Sequence, residues 1–393
     1  MHDVVFLSGV RTPIGAFQGA LSPLTAPQLG SAAIKAALER AGVSGDQVCE
    51  VIMGNVLSGG LGQAPARQAS LGAGLPESVP CLTINKVCGS GMKAIMLAGQ
   101  AIALGDSEVV VAGGMESMTN APYILDKARA GYRMGNGQII DSMINDGLWD
   151  PYNNVHMGNC GDLCAREEGF SRDQLDDFAA ESFRRAQEAQ SGGRLAEEIS
   201  PVEIPQRKGD PVVIKDDEGP TKGGNREKLG QLRAAFDKEG VTTAGNASTI
   251  NDGGAAMVMC SAGAAAKNGW KPIGRLVASA THAQNPQWFT TAPAFAVEKL
   301  LAKAGLSVND INLFEVNEAF AVVSMAVAKR VGIPHEKLNV NGGAVAIGHP
   351  IGMTGARLVL TALHELRRRG GKYAVCTPCI GGGEATAVLI EAL

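Results

Sequence analysis

Cys88 stands just before Gly89-Ser90-Gly91 and a long apolar run, residues 92–104, whose only strongly polar members are Lys93 and Gln100. Such a run reads as a buried helix. A cysteine at its N-terminal end meets unpaired backbone N–H groups and the positive end of the helix dipole, which favour a thiolate and are expected to lower the thiol pKa. The glycines let a carbonyl approach the backbone, where the same N–H groups can hold a developing oxyanion. This is the arrangement of a nucleophilic cysteine. Two other uses compete for the same residues. A free cysteine is often inert packing. The run Gly89-Ser90-Gly91-Met92-Lys93-Ala94 also fits G-x-G-x-x-A, the dinucleotide fingerprint. That fingerprint wants an acidic residue after the next strand, and Val109-Val110-Val111-Ala112 runs into Gly113-Gly114 instead.

A nucleophile of this kind needs a base. The chain has six histidines. His2, His335 and His364 lie at the terminus, beside a turn proline and on a charged helix, where surface roles are expected, and His282 is ambiguous. His349 lies in Gly342-Gly343-Ala344-Val345-Ala346-Ile347-Gly348-His349-Pro350, between glycine and proline and outside any periodic apolar face. It suits a general base beside a cysteine, while His156 is better placed to line a pocket. Cys376-Thr377-Pro378-Cys379 is a C-x-x-C, which alone reads as a redox pair or half a zinc site. Cys160 and Cys164 have a different spacing and supply no matching second half. Cys379 falls just past a strand, before Ile380-Gly381-Gly382-Gly383, so a second thiol faces backbone N–H groups at a sheet edge. Asn317, at the end of another strand in Glu315-Val316-Asn317-Glu318, can position a water or an oxyanion.

The elements that carry these residues alternate. Strand, loop and helix are expected at 4–9 and 26–41, a strand at 51–56 and a helix at 65–74, then the Cys88 segment. Strands alternating with helices call for a largely parallel sheet covered on both faces. A second block echoes the first: Ala37-Leu38-Glu39-Arg40-Ala41-Gly42-Val43 is matched by Leu300-Leu301-Ala302-Lys303-Ala304-Gly305-Leu306, 263 positions later. Each is followed by a strand, and the strand-to-glycine run at 109–114 is matched by 373–383. Two copies of one unit predict two sheets related by a pseudo-two-fold axis. Between the copies, residues 120–250 turn to charged helices (171–190), proline-broken strands (199–213) and a polar loop (215–228), as expected of an excursion carrying binding loops.

Bulk composition excludes several classes. With 393 residues and 51 glycines the chain has room for a large, closely packed α/β core. A net charge of −4 with 19 per cent charged residues leaves no basic stripe for nucleic acid. The eight cysteines are scattered, unlike a secreted disulfide framework. No leader is read at the N-terminus, no apolar run is read as long enough to span a membrane, and the C-terminus carries no retention tag. A cytoplasmic protein is expected.

The motifs NKVCGSGMKAI, GGMESM, HMG, TAGNAS, INDGGAA, NEAF, GGAVAIGHPIG and CIGGG stand in the order and spacing of thiolases. From end to end the chain resembles a short-chain, biosynthetic acetyl-CoA acetyltransferase type of that family. The resemblance implies a layered αβαβα core of two mixed sheets with helices on both faces. Its first half would span 1–119, completed by 251–272; an inserted loop domain, 120–250, would bind CoA; and 273–393 would form the second half. It implies that Cys88 is the acylated nucleophile, that His349 activates it, and that Cys379 moves the α-proton of the second acyl-CoA. Asn317 would hold a water that, with His349, makes one oxyanion hole, and the N–H groups of Cys88 and Gly381 would make the other. Leu148, His156, Met157, Phe236, Ala244, Ser248, Ala319 and Phe320 would line the pantetheine and acyl channel. Thr221 stands where many relatives carry arginine, so Lys222 or Lys228 would meet the CoA charge. Thr249 and Trp288-Phe289-Thr290-Thr291 also depart from the pattern of relatives.

The implied reaction is the reversible Claisen condensation of two acetyl-CoA into acetoacetyl-CoA and CoA, through an acetyl-cysteine. The alternative is a broader 3-ketoacyl-CoA thiolase of degradation. No cofactor or metal is implied, since the CoA thioesters are substrates. The implied assembly is a homotetramer, a dimer of dimers, joined through residues 123–133. A condensing enzyme of acyl carriers would lack the second thiol, and a non-catalytic binding member would lose one of the three catalytic groups.

Overall fold

A computed structural model describes residues 2–393. The first half runs β1 (Val4–Arg11), α1 (Ala26–Ala41), β2 (Glu50–Gly54), α2 (Pro65–Gly72), β3 (Cys81–Ile84), α3 (Ser90–Leu104) and β4 (Val109–Ser117). Local chemistry sets α1: Gln28 accepts from the Thr25 N–H at 2.8 Å, proline stands in the first turn, and Gly42 ends the helix at φ 64°. After β4 an excursion carries α4 (Met157–Glu168) and α5 (Arg172–Ser191), and β5 (Asn251–Ser261) returns the chain to the sheet. The second half runs β6 (Gly274–Ala283), α6 (Ala292–Ala304), β7 (Leu313–Val316), α7 (Ala321–Val331), α8 (Ile351–Arg369), β8 (Tyr373–Thr377) and β9 (Glu384–Ala392).

The strand order is β3-β2-β4-β5-β1-β6-β9-β8-β7. Outward from its centre, β1 pairs antiparallel with β5, β5 antiparallel with β4, and β4, β2 and β3 are mutually parallel. The other half repeats this: β6 with β9 and β9 with β8 antiparallel, β8 with β7 parallel, and a lone parallel bridge from Phe314 to Leu338 where β3 would fall. The two predicted units are thus present with matching connectivity, but they join into one continuous mixed sheet, and the expected parallel pairing holds only among the outer strands, the inner pairs being antiparallel. The units meet edge to edge through only two residue pairs, Val5 with Arg275 and Phe6 with Gly274.

Helices α1 and α6 cover the outer faces, while α3 and α8 pack together between the halves. Their close crossing explains Gly91, where a Cβ would lie 2.9 Å from the Ala356 N and 3.0 Å from the Gly352 carbonyl, whereas a Cβ at Gly89 would meet the Ile380 side chain. The dinucleotide fingerprint is therefore used for helix packing. Contrary to expectation, one apolar run does reach membrane-spanning length. Val87–Leu104 is long and apolar enough to cross a membrane, with a mean hydropathy of 1.4 over 18 residues, because a helix covered on several sides is apolar all round. Here 56 per cent of it is buried within the protein. His364 also departs from expectation: it is half-buried, and its Nε2 lies 3.0 Å from the Gly9 carbonyl. The charged surroundings read in sequence belong to the next turn, Arg367 to Arg369, at the helix end.

Buried charge ties the excursion to the core. Arg11 is fully buried and reaches Glu198 at 2.6 Å and both oxygens of Asp217 at 2.7 and 2.8 Å. Such fully paired, bidentate contacts offset the cost of burying the guanidinium. The next residue, Glu218, accepts from the Ala16 and Ala20 N–H groups at 2.8 and 3.0 Å. The polar loop that follows is thereby held against the first half.

Candidate active site

Three loops from separate parts of the chain meet at the ends of α3 and α8. Cys88 lies two residues before α3, which starts at Ser90 with Gly89 as its cap. Val87 has φ 44°, an uncommon conformation for a β-branched residue. The strain is held by a local network: the Val87 N–H donates to Asn85 Oδ1 at 2.9 Å, and the Val87 carbonyl accepts from the Ser90 N–H and hydroxyl at 3.0 and 2.7 Å. Strain maintained in this way is a mark of functional turns. The turn leaves Cys88 only partly buried, at the wall of a cavity.

That cavity, of about 880 Å³, is lined by Cys88, His349 and Gly381. All ten residues expected to contact substrate line it as well: Leu148, His156, Met157, Lys222, Lys228, Phe236, Ala244, Ser248, Ala319 and Phe320. Its size is that of a site for a large organic ligand. An aromatic series runs along one wall. His156 stacks on Phe236 at 4.6 Å, Phe236 meets Phe320 edge-on at 6.0 Å, and Phe320 meets Phe289 at 6.4 Å. Lys222 is paired with Glu218 at 3.0 Å, and Lys228 takes part in none of the ion pairs found among the described residues.

Burial governs the titrating groups. The expectation of a lowered Cys88 pKa is not met: burial pushes the thiol up to about 11, outweighing the Gly381 and Cys88 N–H groups that favour the thiolate, and Glu116 adds to the rise. Those two N–H groups nonetheless converge on the sulfur. Cys379 is fully buried and does not reach the cavity surface, in contrast to Cys88. Its thiol is also pushed up, by burial and then by Cys88 itself, against the Asn317 amide and the Cys379 and Ala319 N–H groups. The two sulfurs are thus close enough to feel each other's charge. Cys376 is buried separately, its Sγ 3.5 Å from the Leu358 carbonyl, and all eight cysteines are free. Among the described residues no group of three or more His, Cys, Asp or Glu is placed to hold a metal ion.

His349 is buried, with Nδ1 2.6 Å from Thr354 Oγ1. That hydroxyl donates to the Pro350 carbonyl at 2.9 Å, so it accepts from Nδ1–H. Nε2 is therefore the unprotonated nitrogen, and the Asn317 amide lies 3.4 Å from it. The His349 N–H donates to Asn251 Oδ1 at 2.9 Å, which fixes the loop. Asn317 Oδ1 is buried with no protein partner. The Asn317 side chain thus lies between the imidazole and the second thiol.

Burial, and then Arg357, push His349 down to about 3. A histidine of ordinary pKa ~6.5 would gain its proton as pH falls through neutrality; this one stays neutral and able to accept. We expect its imidazole signals to show no titration between about pH 5 and pH 8 in a histidine-labelled NMR series. A midpoint near the ordinary value would contradict the buried, Thr354-anchored arrangement.

Sequence reasoning missed several members of this site. Thr354 and Asn251 set the histidine's tautomer and backbone, and Glu116 lies beneath Cys88; Phe289, noted in sequence only within a departing segment, closes the aromatic wall. Glu116 and Asn251 fall inside the motifs GGMESM and INDGGAA, which was the available signal.

Two family patterns cover the chain: "Thiolase, N-terminal domain" over residues 4–263 and "Thiolase, C-terminal domain" over residues 270–392. An acetyl-CoA acetyltransferase of Cupriavidus necator is 50% identical over 391 residues, covering 100% of both chains. A mitochondrial acetyl-CoA acetyltransferase of Xenopus tropicalis is 50% identical over 100% of this chain and 93% of its own. The crystal structure of the Bacillus anthracis acetyl-CoA acetyltransferase superposes with a TM-score of 0.98 at 41% identity, over 100% of this chain and 99% of that one.

Proposed function

The chain belongs to the thiolase family, and on that premise we propose that it is an acetyl-CoA C-acetyltransferase, condensing two acetyl-CoA into acetoacetyl-CoA and CoA, reversibly and through an acetyl-Cys88. The observation that carries this reading is the convergence of Cys88 and His349 on the wall of one large cavity, with the Asn317 amide against His349 and Cys379 buried behind them, within reach of Asn317 and of the charge on Cys88. Full-length relatives at half identity that bear the acetyl-CoA acetyltransferase name favour this substrate over the broad degradative alternative.

In the first half-reaction the Cys88 proton passes to His349 Nε2 as the sulfur attacks the acetyl carbonyl, and His349 returns that proton to the departing CoA thiolate. Burial opposes a lone thiolate and a lone imidazolium, so the transfer that creates both together on one cavity wall is the favoured ionisation. The Cys88 and Gly381 N–H groups are placed to hold the tetrahedral oxyanion. In the second half-reaction Cys379, as thiolate, takes the α-proton of another acetyl-CoA. The enolate carbon attacks acetyl-Cys88, the C–S bond breaks, and Cys379 gives the proton back to the expelled thiolate. The enolate oxygen needs fixed donors, because a thioester α-proton is weakly acidic. A water held by the unpartnered Asn317 Oδ1 meets that need together with His349 Nε2, which at this step carries the proton that Cys379 gave up in becoming a thiolate and returns it to Cys379 once Cys88 is reprotonated.

The excursion, residues 120–250, supplies most of the outer cavity wall and is read as the CoA-binding part, with Lys228 the cation available to the phosphates. The cytoplasmic placement rests on the scattered, unpaired cysteines. A homotetramer is supported by the exposed apolar residues Tyr123, Leu125, Met134 and Ile139 near residues 123–133; light scattering giving a monomeric mass would rule it out.

Chain length is set by the cavity wall around Phe289. Phe289 is 2% exposed and stands against Phe320. Its segment is clamped by Gln284, whose amide donates to the Trp288 carbonyl at 2.6 Å and whose N–H donates to the Gly383 carbonyl at 2.9 Å. The wall cannot swing aside for a longer acyl chain. Phe289→Leu, a substitution mild enough to cost about 1 kcal/mol, is expected to raise the kcat/KM ratio of 3-ketohexanoyl-CoA to acetoacetyl-CoA roughly tenfold. An unchanged ratio would show that another residue sets the limit.

A further inference from the structure

Glu116, near the end of β4, is wholly buried, and its carboxylate accepts four hydrogen bonds. Oε1 takes Asn55 Nδ2 at 2.8 Å and the Leu57 N–H at 3.0 Å; Oε2 takes the Val56 N–H at 3.0 Å and the Gly352 N–H at 2.9 Å. An ionised carboxylate offers about four lone-pair sites, so every one is occupied. The donors belong to different halves of the molecule. Asn55, Val56 and Leu57 follow β2, whereas Gly352 is in the first turn of α8.

Each donor segment carries part of the chemistry. Val56, Leu57 and Ile351, with Met118 and Met143, form the apolar bed on which Cys88 packs. His349 stands three residues before Gly352. We infer that Glu116 is a positioning residue that locks the bed of the nucleophile to the helix start that carries the histidine, so that sulfur and imidazole keep one relative placement through both half-reactions. The approach is tight: a Cβ at Gly352 would lie 2.6 Å from Glu116 Oε2 and 2.8 Å from the Met115 carbonyl. The negative charge also meets the positive end of α8. Burial pushes this carboxyl up to about 7 while the Leu57, Val56 and Gly352 N–H groups hold it down. The ionised form is the one able to accept from all four donors. Its charge is felt by the Cys88 thiol, and Asp252, on β5, is the neighbouring acid.

This inference rests on the Cys88–His349 pairing proposed above, and its test separates the two. Glu116→Gln turns an NH₂ against two donors whichever way the amide lies. Asn55→Ala removes one donor and leaves the Val56, Leu57 and Gly352 contacts on the carboxylate. In the full-length enzyme, Glu116→Gln is expected to lower kcat for thiolysis of acetoacetyl-CoA about 100-fold, since small misplacements of reacting groups have that cost. Its KM should stay within about threefold, the mark of a lost transition-state interaction. Asn55→Ala should lose less than about fivefold in kcat at a comparable fall in Tm. Losses that track Tm alike in both variants, or a Glu116→Gln enzyme with wild-type kcat, would overturn the inference. If Glu116→Gln does not fold, Glu116→Asp, which withdraws the carboxylate by one carbon, takes its place. It should lose at least about tenfold in kcat with KM held, and wild-type kcat would again overturn the inference. A wild type inactive on acetoacetyl-CoA plus CoA would strike the proposed function instead. Alkylation of Cys88 by iodoacetamide, mapped by peptide mass, then serves as the readout, and an equal rate in Glu116→Gln and wild type would refute the positioning role.

Discussion

Cys88→Ala is expected to lower the turnover of acetoacetyl-CoA with CoA by on the order of 10⁵, as removal of a covalent nucleophile does where no second route exists. That loss corresponds to about 7 kcal/mol of barrier. The substitution removes only a sulfur from a partly exposed position at a cavity wall, so little change in Tm is expected. A variant that stays folded and retains a tenth of wild-type turnover would end the case for an acyl-cysteine. The neighbouring groups are arranged to serve that sulfur. Two N–H groups, those of Cys88 and Gly381, point at it, and a neutral imidazole with Nε2 available lies on the same cavity.

Cys379→Ser should separate the two half-reactions. Serine keeps the volume and the contacts with the Asn317 amide and the Ala319 N–H, but its hydroxyl is a far poorer proton carrier than a thiol. Condensation and thiolysis are expected to fall by about 10³, the contribution of a placed acid–base group. Acetylation of Cys88 by acetyl-CoA should persist to within about tenfold, because His349 and not Cys379 takes that proton. Equal loss of both steps would contradict the division of labour.

Much of this was legible in the chain because the signals are local. Thr25, Pro27 and Gly42 bound α1 by chemistry confined to a few residues, and the strand Tyr373–Thr377 stands between a glycine pair and a proline. Cys88 and His349 stood out for the same reason, each set in glycine-rich sequence that packing alone does not explain. What was hidden depends on distant partners. Nothing near Glu116 announces that its oxygen meets an N–H group 236 positions away. The pKa of Cys88 was misread because the helix end is visible in sequence, whereas the mass of protein that buries the thiol comes from both halves. His364 was misread likewise, since its partner, Gly9, lies 355 positions earlier.

The most direct measurement is the covalent state of the enzyme after rapid mixing with acetyl-CoA and acid quench, read by intact mass and peptide mapping in wild type, Cys379→Ser and Cys88→Ala. Acetylation is expected on the peptide bearing Cys88, persisting in Cys379→Ser and missing from Cys88→Ala. Acetyl groups found on the Cys379 peptide, or turnover in an enzyme that never carries acetyl on Cys88, would contradict the mechanism.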